Sequence, residues 1–476
     1  MITLAGLSGR PVMITEQQLD ELVSGLEGPV LRPGEPGWDD TVTIWNGMVA
    51  RTPALVVQPT SAADVAAAVV FAREHGLLLS VKGGGHNIAG TSLAPGGMTL
   101  DMSQMREVTV DPAGRVAHVG AGCLLKDVDA ATQKYGLATV LGFVSEVGVA
   151  GLTLGGGLGY LTRRFGWTVD NLEEVEIVTA DGEIRTASRT EHDDLFWAVR
   201  GAGANFGVVT RFTLRLHEVG PDVYGGLIAW PFARAGEIMS AYRTLTAAAT
   251  RELSVWLVLR RAPAAPVVPE AWHGELVCAM AVCYTGDPTA VDEALAPIRA
   301  LADPVVDLLD TQPYTVVQSF FDDDEPNGAH YYWKTEYLAR LDDDLLATVR
   351  DIAEHCTMPD AEVGLLHLGG ALNDRDSDDG AVGNRDARYV FGANGMWQPG
   401  DPDADSYRRW VRDAWTRVRP FSTGGNYVNF QTADEDADRI RDSYGHNLDR
   451  LIGIKTKYDP HNLFRVNRNI APRVAR

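Results

Sequence analysis

The chain has 476 residues, of which 45% are hydrophobic and 22% are charged, so we expect a globular protein of about two to four domains. With 42 Lys and Arg against 64 Asp and Glu, the formal net charge is −22, which disfavours nucleic acid and anionic membranes as partners. No apolar run approaches the roughly 20 residues of a membrane span. The N-terminus has no basic segment before its short apolar stretch, which argues against a secretory signal, and we therefore expect a cytoplasmic protein.

The first 217 residues alternate between helix and strand patterns. Residues 61–75 predict a helix that has Ser61 as its N-cap, Asp64 completing a capping box and a glycine just past its end. Residues 77–81 predict a buried strand that leads directly into three glycines. Further patterns predict hairpins turning at residues 111–114 and 181–182, helices over 124–136 and 193–201, and a strand over 207–216.

From residue 218 the pattern changes to longer strands, more aromatic residues and acidic loops, which indicates a second domain. The last fifty residues return to helix and strand patterns. We therefore divide the chain into residues 1–217, 218–424 and 425–476.

Metal chemistry finds little support in the sequence. Residues 374–386 resemble a calcium-binding loop, but Gly380 comes one position late and Arg385 stands where a bidentate Glu is needed, so we expect a solvated loop. Cys278 and Cys283 lie in an apolar stretch with no histidine pair nearby, so we expect core cysteines and no metal.

The glycine-rich runs do not match the common nucleotide-binding patterns. In the three candidate G-x-G-x-x-G runs, the third glycine is replaced by Leu125, Tyr160 or Phe206. A P-loop requires Gly-Lys followed by Ser or Thr, and the chain contains no Gly-Lys pair. Neither a Rossmann nor a Walker site is supported.

Three glycine clusters remain, at residues 83–85, 148–159 and 201–207, and the first two each follow a strand-like run. Successive unhindered N–H groups in such loops form an anion-binding concavity, so the clusters could share one diphosphate. The alternative is that they are tight turns. His86 follows the first cluster directly; a lone histidine is usually structural, but this position favours a functional role.

Several motifs, taken in order, resemble those of the berberine bridge enzyme-like flavoproteins, in the vanillyl-alcohol oxidase/p-cresol methylhydroxylase superfamily. The matching stretches are "KGGGHNIAG", "GVAGLTLGGGLGYLTRRFGWTVDNL", "RGAGANFGVVTRF", "NYVNF" and "YGHNLDRLIGIKTKYDPHNLFRVNRNI". "HYYWKTEYL" and "HLGGAL" also look like middle-domain strands of that family. The resemblance covers nearly the whole chain.

The resemblance implies an α+β fold, with a two-subdomain PCMH-type FAD-binding domain, a substrate domain whose antiparallel sheet is flanked by helices, and a C-terminal segment that returns to the FAD domain. The FAD diphosphate would lie on the first glycine loops, and the sheet would cover the isoalloxazine ring. The cofactor-binding residues implied are Gly83, Gly84, Gly85, His86, Asn87, Gly148, Val149, Thr153, Gly156, Gly159, Val209, Tyr427 and Asn467.

In the family, the histidine of the "GGH" motif is bonded to the flavin 8α-methyl carbon, and here that residue is His86. Many members have a second link from a cysteine, but Val144 stands at that position, so the resemblance predicts FAD held through His86 only. The open site for bulky sugars that often accompanies two links is correspondingly less expected. Two further departures are Glu146, where the residue is usually small or neutral, and Leu152, where plant members have a histidine.

The resemblance also suggests catalytic residues. Tyr427 matches a tyrosine near the flavin and is our candidate for the base or for an orienting group, although a half-buried strand aromatic is the alternative. If "NYVNF" is a strand, Asn429 points to the same face as Tyr427 and could hold the ring or the substrate. The substrate-side candidates are Tyr332, Lys334 and His367.

Val147 matches the family position that gates oxygen, where valine accompanies oxidases and leucine accompanies dehydrogenases. We therefore expect an FAD-dependent oxidase that takes hydride from an alcohol or another activated C–H of a small or secondary-metabolite substrate and passes electrons to O2, giving H2O2. The alternatives are a dehydrogenase with another acceptor, a non-redox nucleotide-binding module, or a protein that kept the fold and lost the flavin. The pattern leaves substrate identity and oligomeric state open.

Overall fold

The computed structural model describes residues 1–301 and 303–473, and its first half carries the glycine clusters on two larger β-sheets. The strands of this half are β1 (Ile2–Ala5), β2 (Pro11–Ile14), β3 (Val30–Leu31), β4 (Leu55–Val57), β5 (Leu79–Lys82), β6 (Met98–Asp101), β7 (Val108–Asp111), β8 (Val116–Gly120), β9 (Leu137–Ala138), β10 (Leu172–Val178), β11 (Ile184–Ser188), β12 (Val208–Arg215) and β13 (His217–Glu218). The helices are α1 (Glu16–Ser24), α2 (Trp38–Val42), α3 (Ala62–Glu74), α4 (Leu125–Thr132), α5 (Val149–Leu154), α6 (Thr162–Phe165) and α7 (Asp193–Val199).

The first of the two sheets has the order β3-β4-β6-β5, in which β4, β6 and β5 are parallel. Its inner strand β4 is buried at all three positions, as expected for a parallel strand covered on both faces. Strand β5 ends at Lys82, so the first glycine cluster begins at the carboxyl edge of this sheet. This edge is where open sheets with parallel strands commonly bind ligands.

The second sheet is antiparallel, with the order β11-β10-β12-β8-β7, and both predicted hairpins are present in it as β7-β8 and β10-β11. The predicted strand over 207–216 is also present, as β12. The second glycine cluster does not follow a strand, contrary to expectation: residues 139–147 are irregular, and Gly148 is the N-cap of α5. Most of the apolar residues of 139–147 are buried although the segment is a loop, which explains their strand-like composition.

Helix α3 begins as predicted, but its capping box is incomplete. The Ser61 hydroxyl accepts the N–H of Asp64 at 3.2 Å. The Asp64 carboxylate instead accepts backbone N–H groups from Gly28 and Thr60, at 3.1 and 2.9 Å. Asp64 therefore ties the helix start to a neighbouring loop, a tertiary contact that the local pattern does not contain.

The second half is dominated by one antiparallel sheet. Its strands are β14 (Asp222–Pro231), β15 (Leu253–Arg261), β16 (Leu276–Tyr284), β17 (Val306–Asp307), β18 (Asp310–Pro313), β19 (His330–Leu338), β20 (Asp360–His367) and β21 (Tyr389–Trp397). The helices are α8 (Ala235–Ala248), α9 (Val291–Arg299), α10 (Tyr314–Val317), α11 (Asp343–Glu354) and α12 (Ala404–Val418). The sheet order is β17-β14-β16-β15-β20-β21-β19, with β18 also paired to β14.

Helices α8, α11 and α12 pack on one face of this sheet, and the other face is turned toward the glycine clusters. Cys278 and Cys283 lie on β16 and are fully buried, as predicted for core cysteines. "HYYWKTEYL" coincides with β19, whereas only the first residue of "HLGGAL" belongs to β20. The expectation that "HLGGAL" is a strand was wrong, because its two glycines adopt positive φ angles that end the strand.

The 374–386 segment is a solvated loop only in part: Asp376, Ser377 and Asp378 are exposed, as expected, but other residues of the segment are buried. The Arg385 guanidinium is buried and donates two hydrogen bonds to the Asp170 carboxylate, at 2.7 and 2.8 Å. Ala381 and Val382 of the same segment are also buried. Although this loop is acidic and contains glycine, its buried residues connect the second half of the chain to the first.

The C-terminal segment contains α13 (Ala437–Asp442) and α14 (Leu448–Tyr458). No strand occurs in residues 425–473, so the expected mixture of helix and strand is wrong there. Leu451, Ile454 and Phe464 belong to the same buried cluster as the core of the first half. Across the described part of the chain, no helix is long and apolar enough to cross a membrane; the cytoplasmic location stays a prediction.

Candidate functional site

All three glycine clusters contribute to one elongated cavity of about 230 Å³, here called the glycine-loop cavity. It runs from the end of β5, past the start of α5, to the C-terminal residues 464–468. Lining residues from the three clusters are Gly83, Gly84, Gly85, Gly148, Gly151 and Gly203. Segments far apart in sequence therefore converge on a single site.

The first two clusters touch through their backbones at Gly84 and Gly148. A Cβ on Gly84 would lie 2.5 Å from the amide nitrogen and 2.6 Å from the Cα of Gly148. Backbone atoms cannot rotate away as a flexible side chain can, so both positions require glycine. This close approach leaves the loop amides bare toward the cavity, as an anion-binding loop requires.

His86 lies in the cavity wall directly after the first cluster. Its ring stacks on Trp45, with centroids 4.9 Å apart and an interplanar angle of 18°, and Trp45 stacks in turn on Tyr331 at 3.8 Å. Burial lowers the pKa of His86 to about 4, so the imidazole is neutral at physiological pH. The ring is thus oriented by stacking and keeps a nitrogen lone pair available.

The positions that depart from the family pattern differ in where they lie. Val144 and Leu152 line the glycine-loop cavity, as does Val147, which matches the family pattern. Glu146 does not line it, because its carboxylate pairs with Lys126 at the surface. The unusual glutamate is therefore outside the cavity, whereas the valine at the cysteine position faces it.

Tyr427 and Asn429 close the cavity from the C-terminal segment, but not as part of a strand. Residues 428–430 form a short 3-10 helix, and the Asn429 amide donates to the Tyr427 hydroxyl at 3.0 Å. The Gly157 N–H donates to the same hydroxyl at 3.0 Å. The strand prediction was wrong, yet the two side chains meet because the helical turn folds one back on the other.

The protonation of Tyr427 argues against a role as base in this environment. Burial raises the pKa of its phenol above the usual 10, and the bonds from Asn429 and Gly157 only partly oppose that effect. A neutral phenol orients its neighbours, whereas it accepts a proton poorly at neutral pH.

The far end of the cavity is held by the C-terminal segment. Lys455 is fully buried and donates to the carbonyl of Asn205 at 2.6 Å and to the carboxylate of Asp459 at 2.7 Å. The Asn467 amide donates to the Ala204 carbonyl at 2.7 Å. These bonds fix the third glycine loop against residues 464–468.

Not all predicted cofactor residues line the cavity. Those that do are Gly83, Gly84, Gly85, His86, Asn87, Gly148, Tyr427 and Asn467. Those outside its lining are Val149, Thr153, Gly156, Gly159 and Val209. Gly156 and Gly159 serve packing instead, since a Cβ on Gly156 would crowd the Val382 side chain and one on Gly159 would overlap the Leu141 carbonyl.

A second cavity, here called the sheet-face cavity, opens against the face of the large sheet opposite α8, α11 and α12. It shares Phe143, Glu325, Trp333 and Phe430 with the glycine-loop cavity, so the two are continuous. Side chains from alternate positions of β15, β19, β20 and β21 line it, as the period of two in a strand requires.

The three predicted substrate residues lie outside both cavities. Lys334 is buried and its ammonium binds Glu435 at 2.6 Å and Asp434 at 3.2 Å, while the Tyr332 hydroxyl donates to Asp434 at 2.6 Å. His367 contacts the Arg163 guanidinium at 2.7 Å. Lys334 and Tyr332 alternate with Tyr331, Trp333 and Thr335 on β19, so they point to the helix-covered face.

Sequence reasoning missed Trp45 and the acidic side of the sheet-face cavity. Trp45 lies in an irregular segment 41 positions before His86, and no local pattern connects the two. Neither Glu325 nor Glu362 belongs to a recognisable sequence motif. Only the folded structure brings them to the same cavity. The alternation along β19, β20 and β21 could have identified the inward positions if the face had been known.

Comparison with known proteins agrees with this geometry. The family model described as FAD binding domain matches residues 53–188, and the one described as berberine and berberine like matches residues 426–471. An FAD-linked oxidoreductase of Dictyostelium discoideum is 34% identical over 96% of this chain and 97% of its own length. The chain therefore belongs to the berberine bridge enzyme-like family of FAD-linked oxidoreductases, and it is an FAD-dependent oxidoreductase.

Three further comparisons cover nearly the whole chain. (R)-6-hydroxynicotine oxidase of Paenarthrobacter nicotinovorans is 30% identical over 94% of this chain and 97% of its own. The crystal structure of 6-hydroxy-D-nicotine oxidase from Arthrobacter nicotinovorans superposes with a TM-score of 0.82 at 26% identity, covering 94% of this chain and 98% of that one. Physcomitrella patens BBE-like 1 has the same fold, with a TM-score of 0.85 at 24% identity over 96% of this chain and 100% of that one.

Proposed function

We propose that this protein is an FAD-dependent oxidase that removes hydride from an alcohol or another activated C–H bond of a small or secondary-metabolite substrate and reduces O2 to H2O2. We further propose that FAD is bonded to the protein through His86 alone. Relatives whose names describe oxidases, among them (R)-6-hydroxynicotine oxidase, support the oxidase assignment.

The residues of the glycine-loop cavity fit FAD. The contact between Gly84 and Gly148 leaves bare amides where a diphosphate needs donors. At the far end, the side-chain oxygen of Asn467 and the Nε of Arg468 are buried without a partner among the described residues, and both residues line the cavity. Unpaired buried polar atoms are costly, so a polar ligand at this end would stabilise the protein.

FAD held in this cavity would supply the hydride-accepting chemistry, while the protein would supply orientation and proton handling. In this chain, Trp45 stacking presents the His86 ring to the cavity. Asn429 and the Tyr427 hydroxyl form a hydrogen-bonded pair in the wall of the glycine-loop cavity. We assign Tyr427 as an orienting group, because burial raises the pKa of its phenol.

The observation that carries the proposal is the state of His86. Its neutral ring lies in the cavity wall and makes no hydrogen bond to any described residue, so a ring nitrogen can form a covalent bond without losing another partner. Val144, at the position of the second link, also lines the cavity but has no nucleophilic atom.

Acid precipitation tests the covalent link. We expect the wild-type pellet to stay yellow, and His86→Ala to release all flavin to the supernatant. His355→Ala, at a largely exposed histidine, should behave as wild type. A yellow His86→Ala pellet would place the link elsewhere, and a colourless native protein would refute the proposed function.

Oxygen reactivity tests the oxidase assignment. Val147 lines the glycine-loop cavity, so Val147→Leu adds a methylene to its wall. We expect reoxidation of the reduced enzyme by O2, followed by stopped-flow absorbance, to slow at least about tenfold, a barrier change of about 1.4 kcal/mol. Val144→Leu makes the same size change nearby and should have a much smaller effect; equal slowing by both would refute a gate at Val147. Wild-type enzyme that releases no H2O2 would indicate a dehydrogenase with another acceptor.

A further inference from the structure

The sheet-face cavity has an acidic side that the glycine-loop cavity lacks. Four carboxyl-bearing residues line it, against a single basic residue, Arg260. The carboxyl-bearing residues are Asp324, Glu325, Asp360 and Glu362. The one cation cannot neutralise them, so the cavity carries an excess of negative charge.

The partners of these carboxyls show which are satisfied. Arg260 binds Asp324 at 2.8 Å and reaches Glu362 only at 4.0 Å. The Asn394 amide donates to Glu362 at 2.8 Å. The Glu325 carboxyl makes no hydrogen bond or ion pair with any residue in 1–301 or 303–473, and Glu325 lies where the two cavities join.

The environment of these groups favours a positive ligand. Burial, together with the nearby Glu362 and Asp324 charges, raises the pKa of Glu325 well above its usual range, and burial also raises the pKa of Glu362. A cation placed between the two carboxylates would replace their repulsion with attraction. The remaining walls include Trp256, Phe143 and Phe321, whose faces attract cations and planar rings.

Two unpartnered polar atoms on the same cavity indicate hydrogen-bonding groups on the ligand. The Asn394 side-chain oxygen is buried and accepts no hydrogen bond from the described residues, although its amide nitrogen is fixed by Glu362. The Trp256 indole N–H is likewise unpartnered, on a residue only 3% exposed. An N–H donor would satisfy the Asn394 oxygen, and a lone-pair acceptor would satisfy the indole.

A metal ion is a poor alternative occupant. Within residues 1–301 and 303–473, no group of three or more His, Cys, Asp or Glu side chains has an arrangement that could hold one. The carboxyls lie on separate elements around an aromatic space, which suits a larger organic cation.

We propose that the sheet-face cavity is a subsite for a protonated amine on a planar or aromatic substrate, with Glu325 and Glu362 as its carboxylate partners. This inference rests on the proposed function for the identity of the reaction, but the binding itself does not require turnover. The ammonium lies between the two carboxyls and donates to the Asn394 oxygen, and the ring packs on Trp256 and Phe143. The net charge of −22 also favours the approach of a cation.

Three probes of one shape and different charge test this subsite: benzylamine, benzyl alcohol and benzoate. Their binding to the purified enzyme, measured by calorimetry near neutral pH, reports charge preference independently of oxidation. We expect benzylamine to bind at least about tenfold more tightly than the other two. Equal or tighter binding of benzyl alcohol or benzoate overturns the proposal.

Glu325→Gln and Glu362→Gln test the assignment separately, so the failure of one variant to fold leaves the other informative. Each should reduce the benzylamine preference at least about threefold. Asp323→Asn removes an exposed carboxyl from the same loop, outside the cavity, and should keep the wild-type preference. A preference retained in both glutamine variants, or lost equally in Asp323→Asn, overturns the assignment. A protein that shows the preference but releases no H2O2 would refute only the oxidase proposal.

Discussion

The two continuous cavities of this protein are made from different parts of the polypeptide. The glycine-loop cavity includes a part built from backbone, where the loops lie so close that Gly84 and Gly148 leave no room for a Cβ. The sheet-face cavity is formed by side chains that project from alternate positions of four strands. A site built from backbone restricts its sequence, whereas a site built from side chains can change its chemistry without changing the fold.

This difference separates the roles of the two cavities. The geometry of the glycine-loop cavity depends on the path of the backbone. This cavity therefore suits a cofactor, which stays the same from one relative to another. The sheet-face cavity suits a substrate, because each inward position can be replaced while the strand pairing stays intact. We therefore expect substitutions in the first to disrupt folding and substitutions in the second to change selectivity.

The largest effect is expected at the contact between the two glycine loops. Gly84→Ala forces a Cβ against the backbone of Gly148, so we expect a loss of more than about 4 kcal/mol in the free energy of unfolding and a protein without flavin. Thermal unfolding and flavin absorbance measure both effects. Gly453→Ala is the control, since its Cβ meets no atom within 4 Å on α14, and it should stabilise by up to about 1 kcal/mol. A Gly84→Ala enzyme that binds flavin and has normal stability would contradict the expectation that substitutions in the glycine-loop cavity disrupt folding.

The next effect is expected at the buried clamp of the third glycine loop. Lys455→Met leaves the Asp459 charge buried without its partner, which should cost about 3–5 kcal/mol of unfolding free energy in denaturant titration. Lys457→Met, on the same helix, removes an exposed pair with Asp194 and should cost at most about 1 kcal/mol. Similar losses of unfolding free energy in Lys455→Met and Lys457→Met would show that burial does not determine how much an ion pair contributes to stability.

A smaller effect is expected at Tyr427, in the wall of the glycine-loop cavity. Tyr427→Phe removes the acceptor for the Gly157 N–H and the Asn429 amide, so we expect a loss of about 1–3 kcal/mol in unfolding free energy and a lower kcat. Because burial raises the phenol pKa, the pH–rate profile should keep its shape below about pH 10 in the variant.

Tyr160→Phe provides the control for this change. The Tyr160 hydroxyl is buried and has no partner among the described residues, so its removal should leave stability equal or higher. If Tyr427→Phe abolished an ionisation near neutral pH, Tyr427 would be a base after all, and the assignment as an orienting group would be wrong.

The smallest effect is expected in the sheet-face cavity, and it should have the opposite sign. A carboxyl whose pKa is raised in the folded protein is harder to ionise there than in the unfolded chain. The folded protein therefore loses stability as the pH rises from the pKa of the unfolded state to the pKa of the folded state. Because Glu325 is only half-buried, solvent screens its charge, and we expect Glu325→Gln to give a modest gain in stability at neutral pH.

This gain should vanish as the pH falls below the unfolded value of 4.5, where the carboxyl is protonated in both states. Thermal unfolding of both proteins across pH 4–8 measures it. Asp323→Asn should show no such pH-dependent gain. A Glu325→Gln variant that is less stable than wild type at neutral pH would show that the ionised carboxyl has a stabilising partner.

Local patterns predicted the elements whose causes are local. The turn at Asp181-Gly182 and the αL stop at Gly136 are present, because both depend on a few adjacent residues. The strand predicted for "NYVNF" was wrong, and the solvated loop predicted for 374–386 is present only in part. Tyr427 turns inward and Arg385 is buried only because Gly157 and Asp170, more than 200 positions away, supply their partners.

The sequence by itself determined the family, the FAD-binding class and the position of His86, because a backbone cradle requires glycines at set places and these remain visible in the chain. Only the tertiary structure decided which side chains line the two cavities. Trp45 reaches His86, Lys334 turns away to Glu435, and Glu325 joins Glu362 across the sheet face. Their roles depend on which face of a strand meets which loop, and no single segment carries that information.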